Sequence, residues 1–135
     1  METIKLQSLA AHLAINTDDA ECEVDDYLVY TDDEADEACK EYIRDSLWAF
    51  NAEFICSECG LDQSGAESLR SMQEKSCEGA NDFILSLVTE TCGLDEFVES
   101  AISADGRGHF LSPYDGEENE VETENDGTFY IYRQN

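Results

Sequence analysis

Two groups of residues have the types and spacing that chemistry needs. Cys56-x-x-Cys59 sets two thiols close together, which is half of a zinc site. A complete site needs a second pair. Cys77 and Cys92 lie fifteen residues apart, each without a close second ligand. In a pair of antiparallel helices Cys92 falls near the start of the first, far from Cys56 and Cys59. Redox use of the thioredoxin type is disfavoured as well, because that motif opens a helix after a strand and this pair closes one. The expectation is buried thiols and no metal. The second group surrounds His109, a candidate base with Arg107, Tyr114, Asp115 and the Glu117-Glu118 pair nearby. Arg107 and His109 also suit a simpler role, neutralising surrounding acids. No phosphate-binding glycine loop, dinucleotide fingerprint or nucleophile elbow is present. No enzyme and no cofactor is expected.

Charge is the stronger signal. The chain has 135 residues, with 33 acidic against 7 basic side chains and a net charge of −26. Hydrophobic residues make up 41%, too many for a disordered acidic chain, so a folded protein with a real core is expected. A nucleic-acid binder needs a basic footprint, and an anionic membrane repels such a surface; both are excluded as direct partners. The natural partner is a basic protein surface. Eleven acids and no base fill Asp18 to Glu37, among them Asp18, Asp19, Asp25, Asp26, Asp32, Asp33, Asp36 and Glu37. A second block, Asp115 to Asp126, holds Asp115, Glu117, Glu118, Glu120, Glu122 and Glu124. These fourteen side chains are the candidate binding surface.

The elements that would position them begin with Thr31 to Gly60, which reads as one long helix of roughly 40 Å. Thr31 with Glu34 forms a capping box, and Gly60-Leu61 a Schellman stop. Ala35, Ala38, Cys39, Tyr42, Ile43, Leu47, Phe50 and Phe54 make one apolar face. Leu47 and Phe50 are expected where this helix meets a second. That second helix runs from a Ser64/Glu67 capping box to Gly93, with a weak point at Gly79 and Phe83, Ile84, Leu87 and Val88 on its face. Cys-Gly-Leu-Asp occurs at both helix ends, Cys59–Asp62 and Cys92–Asp95, and reads as one stop chemistry used twice. A short helix covers Thr3 to Ile15, and another follows Asp95 with Phe97, Val98, Ala101 and Ile102 inward. Gly108 to Leu111 reads as a short strand and Phe129 to Arg133 as the clearest strand, preceded by a turn at Asn125-Asp126-Gly127.

The segments G-R-G-H-F-L-S-P-Y-D-G-E-E-N-E-V and F-Y-I-Y-R-Q-N, with the helix T-D-D-E-A-D-E-A-C-K-E-Y-I-R-D-S-L-W-A-F-N-A, resemble a family of small acidic proteins of phages, plasmids and related bacterial elements. The resemblance covers about half the chain and brings no activity or site with it. In size and charge the chain is also similar to phage DNA-mimic proteins that inhibit host defence enzymes.

The fold expected is α+β, mainly α: two long antiparallel helices, shorter helices and a small C-terminal antiparallel sheet. One domain is expected, helical over 1–104 and β-rich over 105–135. The leading function is an acidic DNA mimic that occupies the basic nucleic-acid site of a DNA-handling host defence protein. B-DNA carries one charge per ~1.7 Å, so 26 charges match roughly 44 Å of duplex, close to the long helix. The alternative is a regulatory interaction module whose acids serve only solubility. Met1 to Ile15 is too polar for an export signal, so a bacterial cytoplasm is expected. A homodimer through the long helix, with Trp48 at the edge of its apolar stripe, is the other partner reading.

Overall fold

The computed structural model describes residues 26–123 and 127–134. The Thr3–Ile15 helix and candidate residues Asp18, Asp19, Asp25 and Glu124 lie outside them. So do Asn125 and Asp126 of the expected turn. Within the described residues the fold is α+β and mainly α, with one three-stranded antiparallel sheet. None of its helices is long and apolar enough to cross a membrane.

The described chain forms two compact units. The first joins the residues up to Cys39 with those from Asp105 onward; the second is Lys40–Ala104.

The first unit is built on the sheet. Strand β1 (Tyr27–Tyr30) and strand β2 (Asn119–Glu122) both pair antiparallel with the central β3 (Thr128–Arg133). Val29 lies opposite Ile131, and Val121 opposite Phe129. Alternation puts Tyr27, Val29, Phe129 and Ile131 on one face, where they form a buried cluster with Val121 against it. Tyr30, Tyr130 and Tyr132 share the other face, and Tyr132 is fully buried there. β1 had read as part of an acidic block. Its Tyr-Leu-Val-Tyr run is nonetheless strand-type sequence. The expected strand Gly108–Leu111 is instead a short helix. Four residues of mixed apolar character do not distinguish the two periods.

Helix α1 (Asp32–Asp45) starts as its sequence dictates. Thr31 N–H donates to Glu34 Oε1 at 3.0 Å, and Glu34 N–H to Thr31 Oγ1 at 3.3 Å. Ala35, Cys39 and Ile43 are fully buried one turn apart, whereas Tyr42 is 49% exposed.

The single long helix expected over 31–60 is broken. After α1 come a 3-10 turn (Leu47–Ala49), an extended Phe50, and then α2 (Ala52–Cys59). Asn51 forces the restart: its side chain accepts from Glu53 N–H at 2.8 Å and Phe54 N–H at 3.1 Å, so it caps a new helix. The backbone groups freed by the break are met by two amides from elsewhere in the second unit. Asn81 Nδ2 donates to the Arg44 carbonyl at 2.9 Å, and Asn81 Oδ1 accepts from Trp48 N–H at 3.1 Å. Gln73 Nε2 donates to the carbonyls of Leu47 and Phe50, at 3.2 and 2.8 Å. Leu47 is fully buried as expected, but Phe50 is only half-buried, in a ring cluster with Phe54 and Phe97.

The second long helix is divided too, into α3 (Gln63–Ser76), a 3-10 segment (Cys77–Ala80) and α4 (Asn81–Glu90). Its cap is Asp62, which accepts from Gly65 N–H at 3.0 Å, not Ser64. The break sits at Cys77, which takes φ 48°, two residues before the suspected Gly79. The interruption resets the apolar face, so Ile84 and Val88 are buried while Phe83 is 55% exposed. Gly60 does end α2 with φ 75° and a 2.8 Å bond from Leu61 N–H to the Cys56 carbonyl, the expected Schellman stop. Helix α5 (Leu94–Asp105) buries Phe97, Val98 and Ala101; α6 (Arg107–Leu111) completes the set.

Candidate functional site

Arg107, the first residue of α6, is the centre of the first unit's polar structure. Only 10% of its side chain is exposed. Its Nε donates to Glu118 Oε1 at 2.7 Å; its Nη1 donates to Asp32 Oδ1 at 2.9 Å, Asp36 Oδ1 at 3.0 Å and the Asp32 carbonyl at 3.1 Å. The guanidinium also lies 4.6 Å from the centre of the Tyr130 ring. Glu118 in turn accepts from the buried Tyr132 hydroxyl. One cation thus joins the start of α1, the 116–118 loop and the central strand, and it leaves the cluster net negative.

The loop reaches Arg107 because Gly108 has no side chain. A Cβ there would come within 2.6 Å of the Glu117 carbonyl carbon and 2.7 Å of Glu118 N. Buried Ser112 donates to the Glu117 carbonyl, and Asp115 Oδ1 accepts from Glu117 N–H at 3.0 Å, closing the turn. Arg133 covers the exposed Tyr114 ring at 3.7 Å, and Gln134 Nε2 donates to the Leu111 carbonyl at 2.7 Å. In the two C-terminal segments Arg107, Gly108, Ser112, Asp115, Glu118, Arg133 and Gln134 are thus occupied in holding this unit together.

The cluster keeps one thiol and one phenol, Cys39 and Tyr132, protonated. Burial pushes the Cys39 thiol up to about 12; Arg107 opposes this, and Asp36 and Glu118 add to it. Burial, then the hydrogen bond and charge of Glu118, push the Tyr132 hydroxyl well above the usual phenol range. The Tyr132 hydroxyl serves as a donor to Glu118, and a thiol held protonated in this way is a poor nucleophile. His109 is exposed on α6 with its ring edge-on to Phe110.

The candidate acidic residues divide into three sets. Asp32, Asp36 and Glu118 are brought together by Arg107 and are paired within the protein, although Asp32 and Asp36 stay largely exposed. Asp33 and Glu37, one turn apart on α1, and Glu120 and Glu122, alternating on β2, are exposed with no cation partner among the described residues. Asp115 and Glu117 are exposed in the 113–117 turn, and Asp26 immediately precedes β1, its carbonyl accepting from Gln134 N–H at 2.6 Å. The roughly 40 Å rod is gone: α1, at 14 residues, spans about 21 Å.

Compared with protein-family models, curated proteins and solved structures, the chain matches none of them.

Two features of the second unit escaped the sequence reading. A groove is lined by Phe54, Glu58, Glu96, Glu99, Ser100 and Ser103, uniting carboxylates from α2 and α5. Cys92 also lies beside Cys59 rather than far from it. The repeated Cys-Gly-Leu-Asp was the available signal for the second. Among the described residues, no three His, Cys, Asp or Glu side chains converge as a metal site.

Proposed function

We propose that this protein is an acidic mimic of nucleic acid, an inhibitor that occupies the basic nucleic-acid site of a DNA-handling host defence protein. One observation carries the reading: four of the described cations are taken up by ion pairs within the protein, and a set of carboxylates is left outward without one. Lys40, Arg44, Arg70 and Arg107 are each paired with carboxylates of their own unit. Asp33, Glu37, Glu120 and Glu122 remain exposed without such a partner among the described residues. With 33 acids against 7 bases, the outward field is strongly negative. The contacts come from short elements, a helix edge and a strand face, rather than from one rod.

The second reading is an interaction module whose acids serve solubility. It is favoured by Asp32, Asp36 and Glu118, whose charges are used within the fold. Capture from a bacterial lysate separates the two. A mimic retrieves nucleic-acid-binding proteins, and duplex DNA displaces them. Neutralising Asp33, Glu37, Glu120 and Glu122 together to Asn or Gln weakens that capture and flattens its salt dependence. Partners that ignore both the DNA and the neutralised variant would sink the mimic reading.

A further inference from the structure

The second unit carries a groove that the proposed function does not use. It lies between α2 and α5 and has a volume of about 640 Å³, the size of a cavity that takes a small ligand or a few side chains. Helix α2 lends it Phe54 and Glu58, one turn apart. Helix α5 lends it Glu96, Glu99, Ser100 and Ser103, one helical face over roughly 10 Å. Rings fix the two helices at its floor: Phe54 stands 5.4 Å from the fully buried Phe97 of α5, at 76° to it. Phe54 itself is half-buried, so part of its ring stays open. Three carboxylates line the groove beside that ring. No ion pair joins any of them to a base among the described residues; Lys40 and Arg70 pair instead with Asp95 and Glu53, which do not line it. Glu58 also stands in the last turn of α2, where the dipole disfavours an acid and no base offsets it. Helix stability does not account for that carboxylate, whereas a cation held in the groove does.

We infer that this groove docks an arginine-bearing segment of a basic partner protein, the guanidinium lying against Phe54 and donating to the carboxylates around it. Charge complementarity sets the sign of the guest, and the lining sets its kind. The carboxylates are spread over two helices, and no three of them converge as a metal site among the described residues. An aromatic wall favours a flat, weakly hydrated cation over a compact ammonium. Five N–H donors in one plane serve several carboxylates and the Ser100 and Ser103 hydroxyls together, which the three donors of a lysine do less well. The run along α5 takes a short length of chain rather than a lone side chain. All six lining residues belong to the second unit, whereas Asp33, Glu37, Glu120 and Glu122 belong to the first. The inference therefore does not rest on the proposed function.

The test titrates the whole isotope-labelled chain with a short glycine–arginine peptide and follows backbone and phenylalanine-ring shifts by NMR. A glycine–lysine peptide of equal length and charge, and magnesium chloride, are run beside it. The expected shifts centre on Phe54, Glu58, Glu96 and Glu99, with the arginine peptide bound about tenfold more tightly than the lysine one. Glu96→Gln with Glu99→Gln should weaken the arginine peptide about tenfold. Asp33→Asn with Glu37→Gln removes the same charge from the first unit and should change it less than about twofold. Phe54→Leu should bring the two peptides close to parity. Four results overturn the inference: shifts centred on the acids of the first unit, equal loss from the two neutralised pairs, arginine and lysine peptides that bind alike, or the same groove shifts with magnesium alone. The shifts of the unmutated chain decide the matter even if a variant fails to fold.

Discussion

Arg107 holds a charge in a place where water scarcely reaches, and three carboxylates share it. Its planar fork serves Glu118 through Nε and Asp32 and Asp36 through Nη1, two directions that one ammonium cannot cover. Arg107→Lys is expected to lower stability by about 1–2 kcal/mol and Arg107→Met by about 3 kcal/mol in denaturant titration, the larger figure held down because the carboxylates face solvent. Equal stability of the Lys variant would show that the fork geometry is not what matters. A second prediction concerns alkali. Cys39 keeps its proton to about pH 12 when folded, against 9.0 for an unperturbed thiol. The folded state then binds more protons than the unfolded one between those values, so stability is full below pH 9 and falls as pH rises toward 12. Tyr132, shifted the same way, steepens the fall. Cys39→Ala, measured in reductant from pH 8 upward, should show a shallower decline than the parent. The sequence exposed Arg107 as a base among acids but not its burial, because Asp32 stands 75 positions away and no local pattern joins them.

At the scale of elements, the local devices were legible and the interruptions were not. The Thr31/Glu34 box, the Gly60 stop and the Ala35–Cys39–Ile43–Leu47 row all act within a few residues, and all are present. The break at Ser46–Phe50 is legible only in part. Asn51 is a good cap, yet a break also leaves carbonyls unpaired, and their partners Gln73 and Asn81 lie 23 to 37 positions on. Asn81 can therefore be tested for its two separate roles. Asn81→Ala strands Trp48 N–H and the Arg44 carbonyl and should cost about 2 kcal/mol. Asn81→Asp keeps the acceptor for Trp48 but points a second acceptor at the Arg44 carbonyl, so it should cost at least as much despite its matching shape. A harmless Asn81→Asp would show that the amide does not hold the break open. Phe50→Ala, at a half-buried ring, should fall below the 3–5 kcal/mol of a fully buried aromatic.

Across the whole molecule, the net charge of −26 governs how stability and binding respond to salt. At 0.01 M salt the Debye length is about 30 Å, so like charges throughout the protein repel one another; at 0.15 M it is about 8 Å. Thermal stability should rise between those two conditions. Affinity for a basic partner should fall over the same interval, since both surfaces lose their attraction. Stability that is flat or falling with salt would mean that the internal ion pairs around Arg107, Lys40 and Arg70 outweigh the repulsion. Charge of this size is fully legible in composition. Which carboxylates face outward is not, because that depends on where the few cations settle.

The strand order of the sheet sets a schedule for synthesis. Among the described residues β1 lies at one edge and pairs only with β3, the last of these three strands to be made. Nearly a hundred residues separate Tyr30 from Thr128. At about 5–20 residues per second, a ribosome leaves β1 without its neighbour for roughly 5–20 s. During that wait the residues of Lys40–Ala104 are all in hand, so the nascent chain can form its middle before it can join its ends.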